Sequence, residues 1–490
     1  MGSLSIVRNH YHAALNLGVT MPSQKVPITL IKGDKISTQT DYLDALPENM
    51  YAVPKPILGA EGFMLQHSGL TEYGTGAGPD RGGVWNERLQ NHFRVSYTQF
   101  IIVHEDGSTE RFGSIPGMEQ VSMPYSFNTQ AVIGGGGFYL YDPVNGFRQV
   151  LDPNLKTPID GTWIDGYYFL TDGATLYHTQ LNNEEAFNPL DFATSEFSPD
   201  PTLGVGKTAD DKVIVFNRYT TEFFANVASN NFAFTRIQAR ALKIGIVATH
   251  AKCELNDKWY FVGGRKEQDL GIHMLGVGST QQISTRAIDR ILSKYSEPDL
   301  ADVSVEAIGV DGMSFVYIHL PEETLLFNET VATASGLENA WSILKRGTGN
   351  QPWRGINGVF DPRVGQWLFG DKVDLRLGFL DPKSVDQYGE MGEWVLYTPF
   401  LYLEGMSVDS LNIETMPGHS PTNDATLFVS MTYDGVTYGH EVTARYGAPG
   451  DYNQRYIVNR LGYVRNWIGF KLRGASRAKM SFGRGYLEVG

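Results

Sequence analysis

Four aspartates are the side chains best suited to chemistry in this sequence: Asp165, Asp172, Asp311 and Asp361. Two carboxylates about 5–9 Å apart across a cleft can hydrolyse a glycosidic bond, one as general acid and the other as base or nucleophile. Most of these four stand in turns, where Asp is expected for local hydrogen bonding. Gly204-Val205-Gly206-Lys207-Thr208 looks like a phosphate loop. The full pattern needs a glycine five places before Gly206, and Pro201 stands there. Asp210 and Asp211 follow and repel phosphate, and Lys212–Phe216 reads as a strand where a helix is required. The stretch is expected to be a β-turn. His104-Glu105 and His440-Glu441 each begin the HExxH of a zinc protease, but Ser108 and Ala444 occupy the second His position. His10 and His12 have no third ligand in view. Gly134–Gly137 and Gly276-x-Gly278 lack the βαβ frame of a dinucleotide site. Cys253, the only cysteine, has no CxxC partner and reads as a structural thiol. The residues give no catalytic, cofactor-binding or metal site, and the chain is expected not to be an enzyme.

The elements around these residues are short apolar strands broken by Asp-Gly or Asn-Gly. Tyr97–Val103 precedes Asp106-Gly107, Phe138–Tyr141 precedes Asn145-Gly146, Tyr167–Leu170 precedes Asp172-Gly173, and Leu427–Thr432 precedes Asp434-Gly435. Such pairs tolerate the positive φ of tight hairpins. The fold class is all-β. Turn centres near residues 106, 145, 172, 210, 257, 311 and 364 lie at spacings compatible with four-stranded propeller blades, about 40–50 residues each. Stacked sandwiches are the alternative. Thr432–Tyr438 is similar to an Asp-box hairpin of sialidases, but it occurs once and without the tryptophan. Two segments break the β pattern, Ile283–Tyr295 and Ser335–Arg346, whose apolar residues have helical spacing; Ser284 or Thr285 can cap the first.

Four segments follow from these textures. Residues 1–37 form an N-terminal arm, in which Val26–Ile31 is a strand that joins a sheet elsewhere. Residues 38–80 form an extended lead-in, whose Pro47, Pro54 and Pro56 keep it on the surface and out of sheet centres. Residues 81–395 form a β-propeller. Residues 396–490 form a β-sandwich-like platform, with strands at Leu396–Leu403, Val408–Glu414, Leu427–Thr432, Thr437–Thr443, Tyr456–Val464, Ile468–Leu472 and Met480–Val489. The last third of the platform is basic: Arg455, Arg460, Arg465, Lys471, Arg473, Arg477, Lys479 and Arg484. It is either a solvated face or a docking surface for an acidic partner.

Composition narrows the classes further. Of 490 residues, 42% are hydrophobic and 12% aromatic, which suits sizeable cores and excludes disorder. The net charge of −14 argues against a surface that grips nucleic acid. It fits an ordinary acidic protein or a surface past which DNA slides without sticking. No window approaches 18 apolar residues, so no membrane segment is expected. Met1–Gln24 does not form a convincing signal peptide, and synthesis in the cytosol is expected.

Several segments, in order, resemble the packaged-DNA stabilisation proteins of short-tailed bacteriophages (podophages), also called tail hub or nozzle proteins. They are Asp41–Met64 with His67–Tyr73; Val213–Phe234 with Thr235-Arg236 and Gly245; Trp259–Gly264, Gly271–Gly278 and Ile283–Leu292 (ISTRAIDRIL); Phe315–Phe327 with its His319-Leu320-Pro321 turn; and Tyr433-Asp434-Gly435, Tyr438-Gly439, Arg460-Leu461-Gly462, Trp467 and Gly469–Arg473 (GFKLR). The resemblance spans about residues 38–490 and leaves the arm unassigned.

The resemblance implies a structural virion protein, a β-propeller with an added β platform. It implies a homo-oligomeric ring of six copies below the portal and its adaptor (the head-to-tail connector), extending the DNA channel and retaining packaged DNA until ejection. A tail fibre or tailspike is then expected on the flank and a tail needle or tip below. Double-stranded DNA passes through without specific binding. Location in the virion tail, after assembly in the host cytoplasm, follows. No cofactor is implied. The alternative function is a carbohydrate-binding or glycan-hydrolysing β-propeller.

Overall fold

The Asp-Gly and Asn-Gly pairs reverse the chain because their glycines take a backbone conformation that side chains resist: φ is 81° at Gly107, 70° at Gly146 and 91° at Gly173. Repetition of such hairpins produces a series of antiparallel meanders. A computed structural model describes residues 23–37, 41–56, 61–276, 279–419 and 425–490. Among the described residues the meanders form seven blades. Blade 1 runs from Asp80–Asn86 to Thr109–Ser114, blade 3 from Asp160–Ile164 to Asn183–Ala193, and blade 4 from Thr202–Lys207 to Phe234–Arg236. Blade 5 ends at Thr280–Gln282, and blade 6 runs from Ser304–Val310 to Gln351–Pro352. Blade 2 has the strands Gln130–Gly134, Gly137–Asp142 and Gly146–Gln149, and its inner edge is completed by the bridges Ser122–Ile133 and Tyr125–Gln130. The inner strands begin at residues 80, 122, 160, 202, 252, 304 and 355. Those steps are about 40–50 residues, the length of a four-stranded blade.

Blade 7 closes the ring. Its first three strands are Gly355–Asp361, Gln366–Asp371 and Arg376–Asp381; its outermost strand is Gly69–Thr75, from before blade 1. Apolar layers separate most neighbouring blades. Phe93, Phe100, Val132 and Tyr141 lie between blades 1 and 2, and Phe138, Leu140, Tyr168 and Leu170 between blades 2 and 3. Val213, Val215 and Phe234 face Phe169 between blades 3 and 4, and Phe216 meets Phe261 between blades 4 and 5.

The platform is two packed sheets. In one, the order is Met50–Val53, Phe63–Gln66, Ser481–Val489, Met406–Thr415, Tyr456–Val464, and Gln24–Ile28 also pairs with Ser481–Val489. In the other, the order is Glu393–Tyr397, Trp467–Ala475, Thr426–Thr432, Val442–Arg445. Leu411, Ile413 and Leu487 from the first sheet and Leu427, Phe470 and Leu472 from the second share a core with Trp394. That core continues without a break into Tyr260, Val316, Leu325, Phe327 and Trp341 of blades 5 and 6.

Several expectations need correction. The strand expected in Val26–Ile31 does join a distant sheet, at Gln24–Ile28. The lead-in is not confined to the surface: Phe63–Gln66 lies between two strands of the platform sheet. Pro47, Pro54 and Pro56 fall outside the strands, so they cost the ladders no donors. Of the two expected helices, one is α1, Arg286–Leu292, with Ala287, Ile288, Ile291 and Leu292 buried; Thr285 is its N-cap residue but makes no side-chain cap bond. The other is wrong. A short helix α2 spans Glu329–Ser335, Gly336 ends it at φ 96°, and Trp341–Arg346 is a strand of blade 6. Trp341 is placed there by pairing with Phe327 and by its indole bond to the Ile283 carbonyl (3.0 Å). In the platform, the strand expected at Thr437–Thr443 forms only at Val442–Arg445. Asp434 holds the preceding residues in a turn by accepting from Val436 N (2.9 Å) and Thr437 N (2.7 Å).

Candidate functional site

The four aspartates are not assembled. Asp165 (φ 51°) and Asp172 cap opposite ends of Tyr167–Thr171 in blade 3, Asp311 (φ 51°) turns a hairpin of blade 6, and Asp361 is buried in blade 7. Asp165 accepts from Asn226 Nδ2 (3.0 Å), and Asp172 from the backbone N of Ala174 (2.9 Å), as turn residues do. Gly204–Lys207 belongs to a strand, not the expected turn. The turn follows it, and Lys207 pairs with Asp211 across it (2.7 Å). Gly206 is required because the Trp259 ring lies where a Cβ would project. His104 lies 3.5 Å from Glu110, and His440 is exposed outside any strand. Burial pushes the Cys253 thiol pKa up, which keeps it protonated and inert. His10, His12 and Gly278 lie outside the described residues. Among the described residues no group of three His, Cys, Asp or Glu could hold a metal ion.

Polar chemistry is concentrated instead at the seam between blades 7 and 1. The apolar contribution there is small: Ile101, Val103 and Leu377, with Tyr73 against them. Asp80 accepts from Arg94 Nε (2.8 Å) and Nη2 (2.9 Å) and from Asn357 Nδ2 (2.8 Å). Both charged side chains are 1% exposed. Arg94 also donates to the Asn357 carbonyl (2.9 Å) and to His92 Nε2 (3.1 Å), so His92 carries its proton on Nδ1, which donates to Asp361 (3.2 Å). Burial pushes the His92 pKa down to about 4 against the pull of Asp361. At Asp361, burial alone would raise the pKa, but hydrogen bonds from His92 and Arg363 outweigh it and hold the carboxyl below its ordinary range. Arg363 reaches back to the Val103 carbonyl (2.8 Å) and covers Trp85. Strand Gly69–Thr75 and this charged network therefore close the ring together.

A second polar device joins propeller and platform. Residues 47–49 hydrogen-bond to both: Glu48 N to the Val395 carbonyl (2.9 Å) in the platform, and Asn49 N to the Ile343 carbonyl (2.8 Å) in blade 6. Asn49 is left-handed (φ 53°); its Oδ1 accepts from Lys345 N (2.8 Å) and its Nδ2 donates to the Glu393 carbonyl (2.6 Å). Lys479 and Arg477 add bonds from the platform to the Pro382 carbonyl (2.8 Å) and Asp386 (3.3 Å). Much of the expected basic face is thus used internally. Arg473 pairs with Glu393 and Glu441, and Arg484 with Glu414 (2.8 Å). Sequence reasoning missed Asp80, Arg94, Asn357 and Asn49. They carry no distinctive local signal: Arg94 stands in a strand, Asn91–Ser96, whose Asn91, His92 and Ser96 are also polar, and its partner Asn357 is remote in sequence.

Comparison with known proteins agrees with this architecture. A family model described as Bacteriophage P22 Gp10, β-propeller matches residues 24–385, and one described as Bacteriophage P22 Gp10, β-sandwich matches residues 393–490. The chain is 27% identical over 480 residues to the tail hub protein gp10 of Salmonella phage P22, covering 94% of this chain and 98% of that one. Among solved structures, a streptogramin B lyase aligns with a TM-score of 0.42 at 11% identity, covering 65% of this chain and 97% of that one. A virginiamycin B lyase from Staphylococcus aureus gives 0.40 at 10%, covering 65% and 98%. Neither likeness carries an activity over. The matched propeller and sandwich together span nearly the whole described chain, which belongs to the bacteriophage P22 Gp10 family of tail hub proteins and is a structural component of a phage tail.

Proposed function

We propose that six copies of this chain form a ring below the portal and its adaptor, extend the DNA channel, and retain packaged DNA until ejection. A fibre or tailspike docks on the flank of this ring and a needle or tip plugs it below. Assembly takes place in the host cytoplasm. The observation that carries this reading is the unbroken core from blades 5 and 6 into the platform, reinforced by residues 47–49. A body of that kind resists bending between its two parts, as a channel wall under internal pressure must. In this reading the segments 1–37, 38–80, 81–395 and 396–490 interlock: Gln24–Ile28 of the arm and residues 393–395 contribute to platform sheets, and Gly69–Thr75 of the lead-in completes blade 7. The chain acts without catalysis, and the scattered positions of Asp165, Asp172, Asp311 and Asp361 speak against the glycan-hydrolysing alternative.

The net charge of −14 supports a channel wall on which carboxylates outnumber basic groups, since basic contacts generate non-specific DNA affinity. Electron cryomicroscopy of the native tail tests the proposal. The expected image is a six-fold ring of this chain around an open passage with an acidic lining. A particle in which the chain surrounds no passage, or lines it with arginine and lysine, refutes it.

A further inference from the structure

Charge is divided unevenly along the chain. Residues 393–490 hold nine acidic and nine basic side chains, so the whole of the −14 lies in residues 1–392. The imbalance is sharpest around blade 3, where residues 157–206 contain eight carboxylates and no lysine or arginine. The outer strand of that blade, Asn183–Ala193, is the longest among the described residues, and its outer edge pairs with no other described strand. Leu190 (69% exposed) and Phe192 project from it, and Leu181 from the turn before it. A bond from Gln180 Nε2 to Asp191 (2.9 Å) holds that turn against the strand, so these apolar side chains share one rim. Asp165 lies exposed beside the same turn, which is tied to it by the bond from Asn182 N to the Gly166 carbonyl (3.1 Å), and it makes no ion pair among the described residues. The cations of blade 2 that reach this rim are already paired: Arg148 with Asp142 and Glu185, and Lys156, which covers Phe192, with Asp172. Exposed apolar groups gathered within a polar frame mark an interaction surface.

The platform carries the complement. At one end of the sandwich, segments from both sheets frame a cleft of about 350 Å³ lined by Tyr433, Tyr463, Arg465, Asn466 and Trp467. Its walls are held in place. Trp467 packs on Phe400 (4.4 Å), the Tyr433 hydroxyl donates to the Leu461 carbonyl (3.2 Å), and Leu403 N donates to the Asn466 carbonyl (2.8 Å). Tyr433 and Tyr463 still stand out into solvent. Arg473 and Arg484 of the basic stretch are paired within the platform, whereas Arg455, Arg460 and Arg465 are exposed and make no ion pair among the described residues. Tyrosine, tryptophan and arginine around a preformed cleft are the side chains that dominate protein interfaces.

We propose that the blade 3 rim of one copy seats in the platform cleft of the next copy, head to tail around the ring. The inference deepens the ring proposal and rests on it. Leu181, Leu190 and Phe192 supply the apolar side of the contact and Tyr433, Tyr463 and Trp467 the aromatic side. Charge selects the pairing, because unpaired arginines meet a rim rich in carboxylates, while rim against rim or cleft against cleft is repelled. The two surfaces are also suitably placed. The platform core is continuous with blades 5 and 6, and blades 2 and 3 lie across the seven-bladed propeller from these. A contact between two different patches at opposite ends of one chain is heterologous, the kind that repeats around an axis and closes into a ring.

The test is disulfide trapping in assembled tails. Leu190→Cys and Tyr463→Cys are made singly and together, and each single variant controls for the native Cys253. After oxidation, the double variant is expected to give a ladder of cross-linked chains reaching six copies on a non-reducing gel, and the single variants none. Arg465→Glu and Leu190→Asp, both at exposed positions, are each expected to lower the yield of assembled tails at least tenfold while the melting temperature of the free chain stays unchanged. Tails that image as a six-fold ring yet give no ladder overturn this contact and leave the ring proposal standing. So does a dimer formed by a single variant, which would show a two-fold contact, or a bond from Tyr463→Cys to another tail protein, which would show a different occupant of the cleft. Unchanged tail yield in both Arg465→Glu and Leu190→Asp also overturns it.

Discussion

Replacing Asp80 with alanine should open the propeller at one place. Asp80 and Arg94 are almost fully buried, and Asp80 receives three hydrogen bonds, two from Arg94 and one from Asn357 across the seam. Deleting one member of a buried pair strands the other charge, at about 3–5 kcal/mol. Arg94 would keep the Asn357 carbonyl and His92 Nε2, so its charge is not wholly abandoned and the lower end, about 3 kcal/mol, is expected. Arg94→Ala should cost about as much. The double variant should cost little more than either single one, because the desolvation penalty disappears together with the attraction. Denaturant unfolding gives the three free energies, and amide exchange gives the location. Because apolar packing at this seam is limited to Ile101, Val103, Leu377 and Tyr73, exchange in Gly69–Thr75 and Gly355–Asp361 should accelerate while blades 3 and 4 stay protected. Strictly additive losses in the double variant, or uniform acceleration around all seven blades, would show that the pair does not fasten the ring.

Further outcomes follow from other sites. Asn49→Ala removes two side-chain bonds and puts a β-carbon residue without a polar side chain at φ 53°, so a loss of about 2–3 kcal/mol is expected, with new proteolytic cleavage between blade 6 and the platform as the local readout. Burial pushes the His67 pKa down to about 3, and its ring is fixed between the Ser68 carbonyl and the Tyr317 hydroxyl (2.8 Å each). The unfolded chain therefore takes up this proton first, near pH 6.5. His67's contribution is complete above that and is lost toward pH 3 at up to about 1.4 kcal/mol per pH unit. NMR should find the ring neutral at pH 4.5, and His67→Gln should flatten the acid slope of stability by one proton. Gly206→Val drives a side chain into the Trp259 ring and should destabilise by about 1–3 kcal/mol. Lys207→Ala, at an exposed pair, should stay within about 0.5 kcal/mol and leave nucleotide binding equally absent, as calorimetry with ATP can check.

The hairpins were legible because their cause is local: a glycine at positive φ behind an Asp or Asn announces itself. Blade boundaries were less so. The seven turns read from the sequence fall one to a blade, but residues 106 and 145 turn between third and fourth strands, 172 between second and third, and 210, 257, 311 and 364 between first and second. Their spacing was uneven for that reason, while the inner strands themselves recur more regularly. The false helix at Ser335–Arg346 arose because Leu337, Trp341 and Leu344 fit a helical period as well as a strand that buries Trp341 and Leu344. Its choice was made by Phe327, which pairs with Trp341. Nothing near Gly69 or Asn49 reveals partners about three hundred residues downstream.

The strand that completes blade 7 has a consequence for the newborn polypeptide. Gly69–Thr75 leaves the ribosome long before Arg376–Asp381, and Gln24–Ile28 long before Ser481–Val489. At about 5–20 residues per second, the first wait lasts about 15–60 s. Throughout it, the early strands expose unpaired backbone to every other unfinished copy on the same messenger. Ribosome spacing and chaperone supply, more than intrinsic stability, should therefore set the yield of usable subunits. A host that translates this message faster shortens the hazard.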